Sequence, residues 1–133
     1  MISVIFPTYN EEGNVVEIHR RIKKTMDALG EPYEIIASDG PSTDNTVPLL
    51  KTLRPIKIII FARNLGPAAA LDAAIKTAQG DIIVIIDADL QSDPEDIPKL
   101  LNKLREGYDV VAGWRKDRRD PLHRKVLSRC ANF

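Results

Sequence analysis

A single cysteine among 133 residues, Cys130, leaves no internal disulfide and fits a reducing compartment. It sits near the chain end in a polar stretch, a poor setting for a nucleophile. No apolar run approaches the ~20 residues of a membrane helix. Residues 1–6 run straight into Pro7 without the basic start or long apolar region of a secretory leader, so the expectation is a soluble, cytoplasmic chain. Repeats and low-complexity linkers are missing, and the length suits one domain with one core. Neither phosphate-cradling glycine loop occurs, neither Gly-x-Gly-x-x-Gly nor Gly-x-x-x-x-Gly-Lys-Ser/Thr, which argues against a dinucleotide oxidoreductase and a P-loop hydrolase. Net charge is also lacking, but its zero hides an asymmetry. From Arg115 onward there are seven Lys/Arg against two Asp/Glu, and twelve against seventeen before it. A basic tail of this kind suits an anion such as a phosphate, a lipid headgroup or nucleic acid; a solvated basic helix is the plainer alternative.

The chain is organised around residues 80–91. Five consecutive branched aliphatics, 82–86, predict a strand buried on both faces, the habit of a parallel-sheet interior. Asp87 and Asp89 follow it. In an extended backbone, alternate residues project to one side, so the two carboxylates point together beyond the strand end, with Gln91 adding a neutral oxygen if the chain stays extended. Like charges so close repel unless a cation lies between them, and hard oxygens suit Mg²⁺ or Mn²⁺. The duller reading makes both of them helix-capping or solvated loop acids.

Taken in order, strands are predicted at 2–6, 33–37, 56–61, 82–86 and 108–112. Helices are predicted at 12–29, 43–53, 67–79 and 92–106. Asn10 is expected to cap the first helix, whose apolar face carries Val15, Ile18, Ile22, Met26 and Leu29. Thr43 or Asp44 is expected to cap the second, and the run Ser92-Asp93-Pro94-Glu95 reads as a capping box for the last. His19, at the edge of the first helix's apolar face, reads as an ordinary partly exposed histidine.

Alternating strands and helices imply an α/β, Rossmann-like, doubly wound, mainly parallel sheet with right-handed crossovers. Ligands of such sheets bind beyond the carboxyl ends of the strands where the strand order reverses. An order of 3-2-1-4 puts that point between the first and fourth strands. Tyr9 and Glu11 would then lie across one crevice from Asp87 and Asp89, with Asp39 beside them.

Several runs, in this order, resemble glycosyltransferase family 2, and within it the dolichyl- or polyprenyl-phosphate sugar synthase-like branch. They are Ile5-Phe6-Pro7-Thr8-Tyr9-Asn10-Glu11-Glu12, Ser42-Thr43-Asp44-Asn45-Thr46, Arg63-Asn64-Leu65-Gly66, Asp87-Ala88-Asp89-Leu90-Gln91-Ser92-Asp93-Pro94-Glu95 and Gly113-Trp114-Arg115. The resemblance implies the GT-A type of nucleotide-diphospho-sugar transferase fold. Its nucleotide-sugar-binding part would span 1–114, with 115–133 a basic helical tail opening a missing acceptor-side half. By that likeness Pro7, Tyr9, Glu11, Asp39, Asp87 and Ala88 bind the nucleotide sugar, Asp39 at the base or ribose. Asp89 and Gln91 hold the metal on the diphosphate, and Asp87, Asp89 and Arg115 serve catalysis. One departure stands out: the family's usual Asp-Asp-Gly-Ser is here Asp39-Gly40-Pro41-Ser42, with one carboxylate of the pair gone.

The activity so implied is inverting transfer of a hexose from a nucleotide-diphosphate sugar to a polyprenyl phosphate, such as dolichyl or undecaprenyl phosphate. No nucleic-acid partner is implied, and the work would be done at the cytoplasmic face of a membrane that the basic tail meets peripherally. Other readings stay open beside it. The chain could be a truncated, non-catalytic nucleotide-sugar-binding fragment. An aspartate-nucleophile phosphatase also uses strand-Asp-x-Asp, but expects it after the first strand rather than the fourth. Arg63 and Asn64 read as residues that only shape a turn, and Trp114 as a packing residue.

Overall fold

A computed structural model of the chain describes residues 1–113. Trp114, Arg115, Cys130 and the expected basic tail lie outside the described residues. The elements run β1 (Ile2–Thr8), α1 (Val15–Leu29), β2 (Tyr33–Asp39), α2 (Thr46–Leu50), β3 (Lys57–Ile60), α3 (Pro67–Thr77), β4 (Ile82–Ile85) and α4 (Ile97–Leu104), with a single 3-10 turn at Pro94–Asp96 leading into α4. The strands form one parallel sheet in the order β3-β2-β1-β4, the order expected from the alternation.

Side-chain alternation divides the sheet into two unequal faces. Ile2, Val4 and Phe6 of β1, with Ile35 and Ala37 of β2 and Ile86 and Ala88 beyond β4, meet Val15, Ile18, Ile22 and Met26 of α1 and Ile97 and Leu101 of α4 in the main core. The α1 residues recur at three- and four-residue spacing and are fully buried. Each is worth about 1.5–3 kcal/mol of transfer free energy. On the opposite face Ile5 and Ile36 pack under Ala74 of α3, whose small side chains let it lie close on β1 and β2. Cover on that face stops short of β4, where Ile83 and Ile85 are 39% and 50% exposed.

Six expectations are corrected. Among the described residues β4 is not buried on both faces, since Ile83 and Ile85 stand exposed on the side that α3 does not reach. Residues 108–112 form no strand: Gly107 takes a left-handed φ of 106°, the Tyr108 N–H returns to Leu104 O at 3.2 Å, and Lys103 Nζ stands 4.9 Å from the Tyr108 ring. Tyr108 thus stays with the end of α4 rather than joining the sheet, and Val110 is left almost fully exposed. Asn10 does not cap α1, which begins after Asn14; it holds a left-handed bend at φ 54°. Neither Thr43 nor Asp44 is the residue before α2; that is Asn45, although Asp44 Oδ1 does accept the first helical N–H, from Thr46. The 3-10 turn that leads into α4 is capped by Asp93, whose carboxylate accepts the Glu95 N–H at 2.9 Å, rather than by the Ser92 of a capping box, and α4 itself follows Asp96 without a side-chain cap. His19 is buried, its Nε2 3.0 Å from Pro55 O.

At the amino-terminal end of the sheet, Glu34 gathers four elements. Its Oε1 accepts from Ser3 Oγ and from the Gln79 N–H, each at 2.6 Å, and its Oε2 is ion-paired with Lys57 at 2.6 Å. Gly80 enters β4 through the same knot, donating its N–H to Ser3 Oγ at 2.9 Å. A Cβ at Gly80 would meet Ser3 N and Oγ at 2.7 Å and Met1 O at 2.8 Å, so only glycine fits this approach. Gly80→Ala should therefore cost about 1–3 kcal/mol, read as a lowered urea midpoint with the slope unchanged. Burial raises the pKa of Glu34, but Lys57, Ser3 and the Gln79 amide outweigh it and bring the group down from 4.5 to about 2. Its stabilisation is thus complete above pH 4.5 and disappears as pH falls through about 2. Relative to Glu34→Gln, the wild-type chain should lose on the order of 3 kcal/mol more across that window, followed by urea denaturation at stepped pH.

Candidate functional site

The loops after β1 and β2 are joined by hydrogen bonds into one wall at the carboxyl end of the sheet. Thr8 and Asp39 are register partners, and Thr8 Oγ1 donates to Asp39 Oδ1 at 2.8 Å. Ser42 adds its Oγ to the same oxygen at 2.6 Å and its N–H to Oδ2 at 2.8 Å. Across the gap the Asn10 N–H donates to Ser42 Oγ at 2.8 Å, and Asn10 Oδ1 accepts the Thr43 N–H at 2.8 Å. The Glu11 N–H meets Thr46 Oγ1 at 2.8 Å, while Glu12 Oε2 takes the Asn45 N–H at 2.9 Å. Every polar group so employed would otherwise need water or remain unsatisfied at a partly buried seam.

This wall bounds a cleft of about 320 Å³. Pro7, Thr8, Tyr9 and Glu11 line one side, Gly40 the floor, and Asn64, Gly66, Pro67 and Ala70 the other side at the start of α3. Tyr9 is 51% exposed and lies over Gly40, where an added Cβ would sit 3.8 Å from its Cδ2. Glu11 is half-buried and accepts from Asn14 Nδ2 at 2.7 Å. The cleft therefore pairs one aromatic face and a carboxylate with an apolar helix start, a surface suited to a flat heterocycle carrying hydroxyls.

Of the predicted residues, Pro7, Tyr9 and Glu11 are brought together in the cleft. Asp39 is not on its surface. The residue is fully buried and both its oxygens are engaged by Thr8 and Ser42, so as it stands it braces the wall. Ala88 is likewise turned into the main core, leaving only its backbone for any ligand. Asp87 is exposed, Ala88 buried and Asp89 half-buried, but the strand ends at Ile85 and the chain is already turning at Ala88 and Asp89, so the two acids are not set on one side by an extended backbone. The turn continues at Leu90, whose φ is 60°, and Asp89 Oδ1 accepts the Gln91 N–H at 2.9 Å. Strand alternation therefore does not carry Gln91 beside the acids either. The register of β1 with β4 runs to Ile5↔Ile85, and the Ile86 N–H donates to Ile5 O at 3.0 Å, so the chain enters Asp87 from the strand that adjoins β1. Asp87, Ala88, Asp89 and Gln91 are not among the residues that line the cleft.

Thr8, Gly40, Gly66, Pro67 and Ala70 were not foreseen as lining, and Asn64 was read as shaping a turn. It does so, its Oδ1 accepting the Gly66 N–H at 2.8 Å, and it lines the cleft as well. The available signal was topological: the loop after β3 must open at the same sheet end as the loops after β1 and β2.

Comparison with known proteins agrees with this geometry. The sequence profile described as "Glycosyl transferase family 2" matches residues 3–131. An undecaprenyl-phosphate 4-deoxy-4-formamido-L-arabinose transferase of Pseudomonas paraeruginosa is 37% identical, over 100% of this chain and 41% of its own length. One of the same name from Aeromonas hydrophila is 36% identical, over 99% and 42%. The chain thus spans about two fifths of the curated relatives it matches. Among solved structures, glucosyl-3-phosphoglycerate synthase from Mycobacterium tuberculosis, in complex with Mn²⁺, uridine diphosphate and glucosyl-3-phosphoglycerate, superposes with a TM-score of 0.65 at 28% identity, over 78% of this chain and 39% of that one. S. aureus TarS 1–349 superposes with a TM-score of 0.62 at 25% identity, over 79% and 32%.

Replacing Asp39 should act on stability before anything else. Asp39→Ala strips buried partners from Thr8 and from both donors of Ser42, and should cost about 2–4 kcal/mol, seen as a fall in thermal midpoint.

Proposed function

Because the chain belongs to glycosyl transferase family 2, we propose that its cleft holds the nucleoside of a nucleotide-diphosphate sugar, with the acids after β4 meeting the diphosphate. The observation that most supports this reading is the pairing of β1 with β4, because the cleft residues Pro7 and Thr8 belong to β1 and the acids follow the strand beside it. The fold is that of its GT-A neighbours, and a uridine diphosphate complex among them supports the same class of ligand.

The donor set fits a divalent cation. Asp87 is exposed and Asp89 half-buried at one strand end, and carboxylate and amide oxygens suit Mg²⁺ or Mn²⁺. Among the described residues no group of three or more His, Cys, Asp or Glu side chains forms a cage, so diphosphate and water oxygens would complete the shell. Asp89 and Gln91 would hold the ion, with Asp87 toward the ribose and sugar. When bound, such an ion offsets the negative charge that develops on a departing diphosphate. Arg115, outside the described residues, is proposed to share that task.

The acceptor we propose is a polyprenyl phosphate, a class supported by the names of the two transferases above. Its phosphate oxygen is already anionic and needs no general base. It bonds to the anomeric carbon as the carbon–oxygen bond to the nucleoside diphosphate breaks, and the configuration inverts. A hexose donor and a modified arabinose, the sugar in the relatives' names, are the two candidates. No described helix is long and apolar enough to cross a membrane, and contact with the lipid surface would fall to the basic residues from Arg115 onward. The span of two fifths of the relatives supports a second reading, in which these residues bind the donor and transfer requires more chain.

Calorimetry with uridine diphosphate, with and without Mn²⁺, tests the core. Binding should require the metal, and Asp89→Asn should weaken it about tenfold or more with the thermal midpoint of the metal-free chain unchanged. Metal-independent binding, or none by the folded chain, overturns the reading. Transfer from nucleotide sugars to undecaprenyl phosphate, assayed on the same chain, separates the transferase from the donor-binding reading.

A further inference from the structure

Tyr9 and Glu11, neighbours of one bend residue, both line the cleft, and the bend itself is an uncommon one. Asn10 between them has φ 54°, a left-handed conformation that costs an L-residue about 1–2 kcal/mol, less for Asn than for most. Such a conformation persists only where its surroundings determine it. Here the determining groups come from the other loop. Ser42 Oγ accepts the Asn10 N–H at 2.8 Å while donating to the buried Asp39 at 2.6 Å, and the Thr43 N–H holds the Asn10 side chain at 2.8 Å. Ser42 is not itself among the cleft-lining residues.

We propose that Ser42 is a positioning residue for nucleotide binding: one hydroxyl, anchored on the buried Asp39, fixes the Asn10 bend and so sets Tyr9 and Glu11 on the same wall. This rests on the reading of the cleft as a nucleoside site. A hydroxyl is what the place demands, because the group must donate to a carboxylate and accept from an amide at once, which neither alanine nor an ionised carboxylate, with no proton to give, can do. The effect on ligand is indirect, through preorganisation of the wall, since an unclasped bend must be ordered again when the nucleotide enters.

The test compares the chain with Ser42→Ala and Ser42→Thr, using uridine diphosphate with Mn²⁺ as the probe and amide hydrogen exchange without ligand. Ser42→Ala should weaken binding about tenfold at a temperature where it remains folded, and speed exchange at Asn10 and Glu11 more than in the strands. Ser42→Thr, which keeps the hydroxyl, should stay within about threefold of wild type on the same scale. If Ser42→Ala does not fold, Asn10→Gly allows the left-handed backbone and removes the oxygen that accepts the Thr43 N–H and hydroxyl, and should show the same direction in both readouts. A folded Ser42→Ala with wild-type affinity, or with unchanged exchange at Asn10 and Glu11, overturns the proposal. A wild-type chain that ignores uridine diphosphate sinks the nucleoside reading instead, while the exchange comparison still decides whether Ser42 holds the bend.

Discussion

The buried carboxylate of Asp39 is the fixed point of the functional end of this molecule. A fully buried carboxylate is costly unless it is hydrogen-bonded, and here Thr8 at the end of β1 and Ser42 in the loop after β2 supply three donors between them. Satisfying one buried charge thus obliges the chain segments after β1 and β2 to meet. Once they meet, Asn10, Glu11 and Glu12 find their own partners among residues 42–46, and the wall of the cleft follows. The sheet sets the distance between the two strands; the carboxylate decides how their loops close over it.

Asp39 holds the two segments together, and beside it Gly40 lies under the ring of Tyr9. The one carboxylate among the residues that line the cleft is that of Glu11. The opposite end of the sheet repeats the principle, with Glu34 drawing Ser3, Lys57 and the Gln79–Gly80 turn together. Each end of a four-stranded sheet is therefore closed by a single anionic side chain that unites neighbouring strands.

Much of this was legible before any coordinates. The alternation of short apolar segments at 2–6, 33–37 and 82–86 with amphipathic helices leaves few topologies, although the aliphatic run 82–86 does not reveal that one side of its strand stays exposed. The pairing of Pro7, Tyr9 and Glu11 followed from the position of one loop at the carboxyl edge. What was hidden were outcomes decided by tertiary partners. Asp39 looked like a ligand because nothing local reveals that Thr8 and Ser42 arrive to bury it. Asn10 looked like a cap because caps and left-handed bends favour the same side chain. The apolar pair Val110-Val111 looked like a strand, but Tyr108 remains held by Leu104 and Lys103 at the helix end. Asp89 and Gln91 looked collinear because periodicity cannot announce the turn at Leu90.

The uneven cover of the sheet carries its own consequence. Among the described residues β4 is a margin: it pairs with β1 alone, and Ile83 and Ile85 stand beyond the reach of α3. A strand edge beside exposed isoleucines is a surface on which an extended segment gains hydrogen bonds and burial together. Charge introduced at Ile83 or Ile85 would oppose such pairing, and because β1 is the immediate neighbour of β4 it would also stand close to the strand that carries the nucleotide wall.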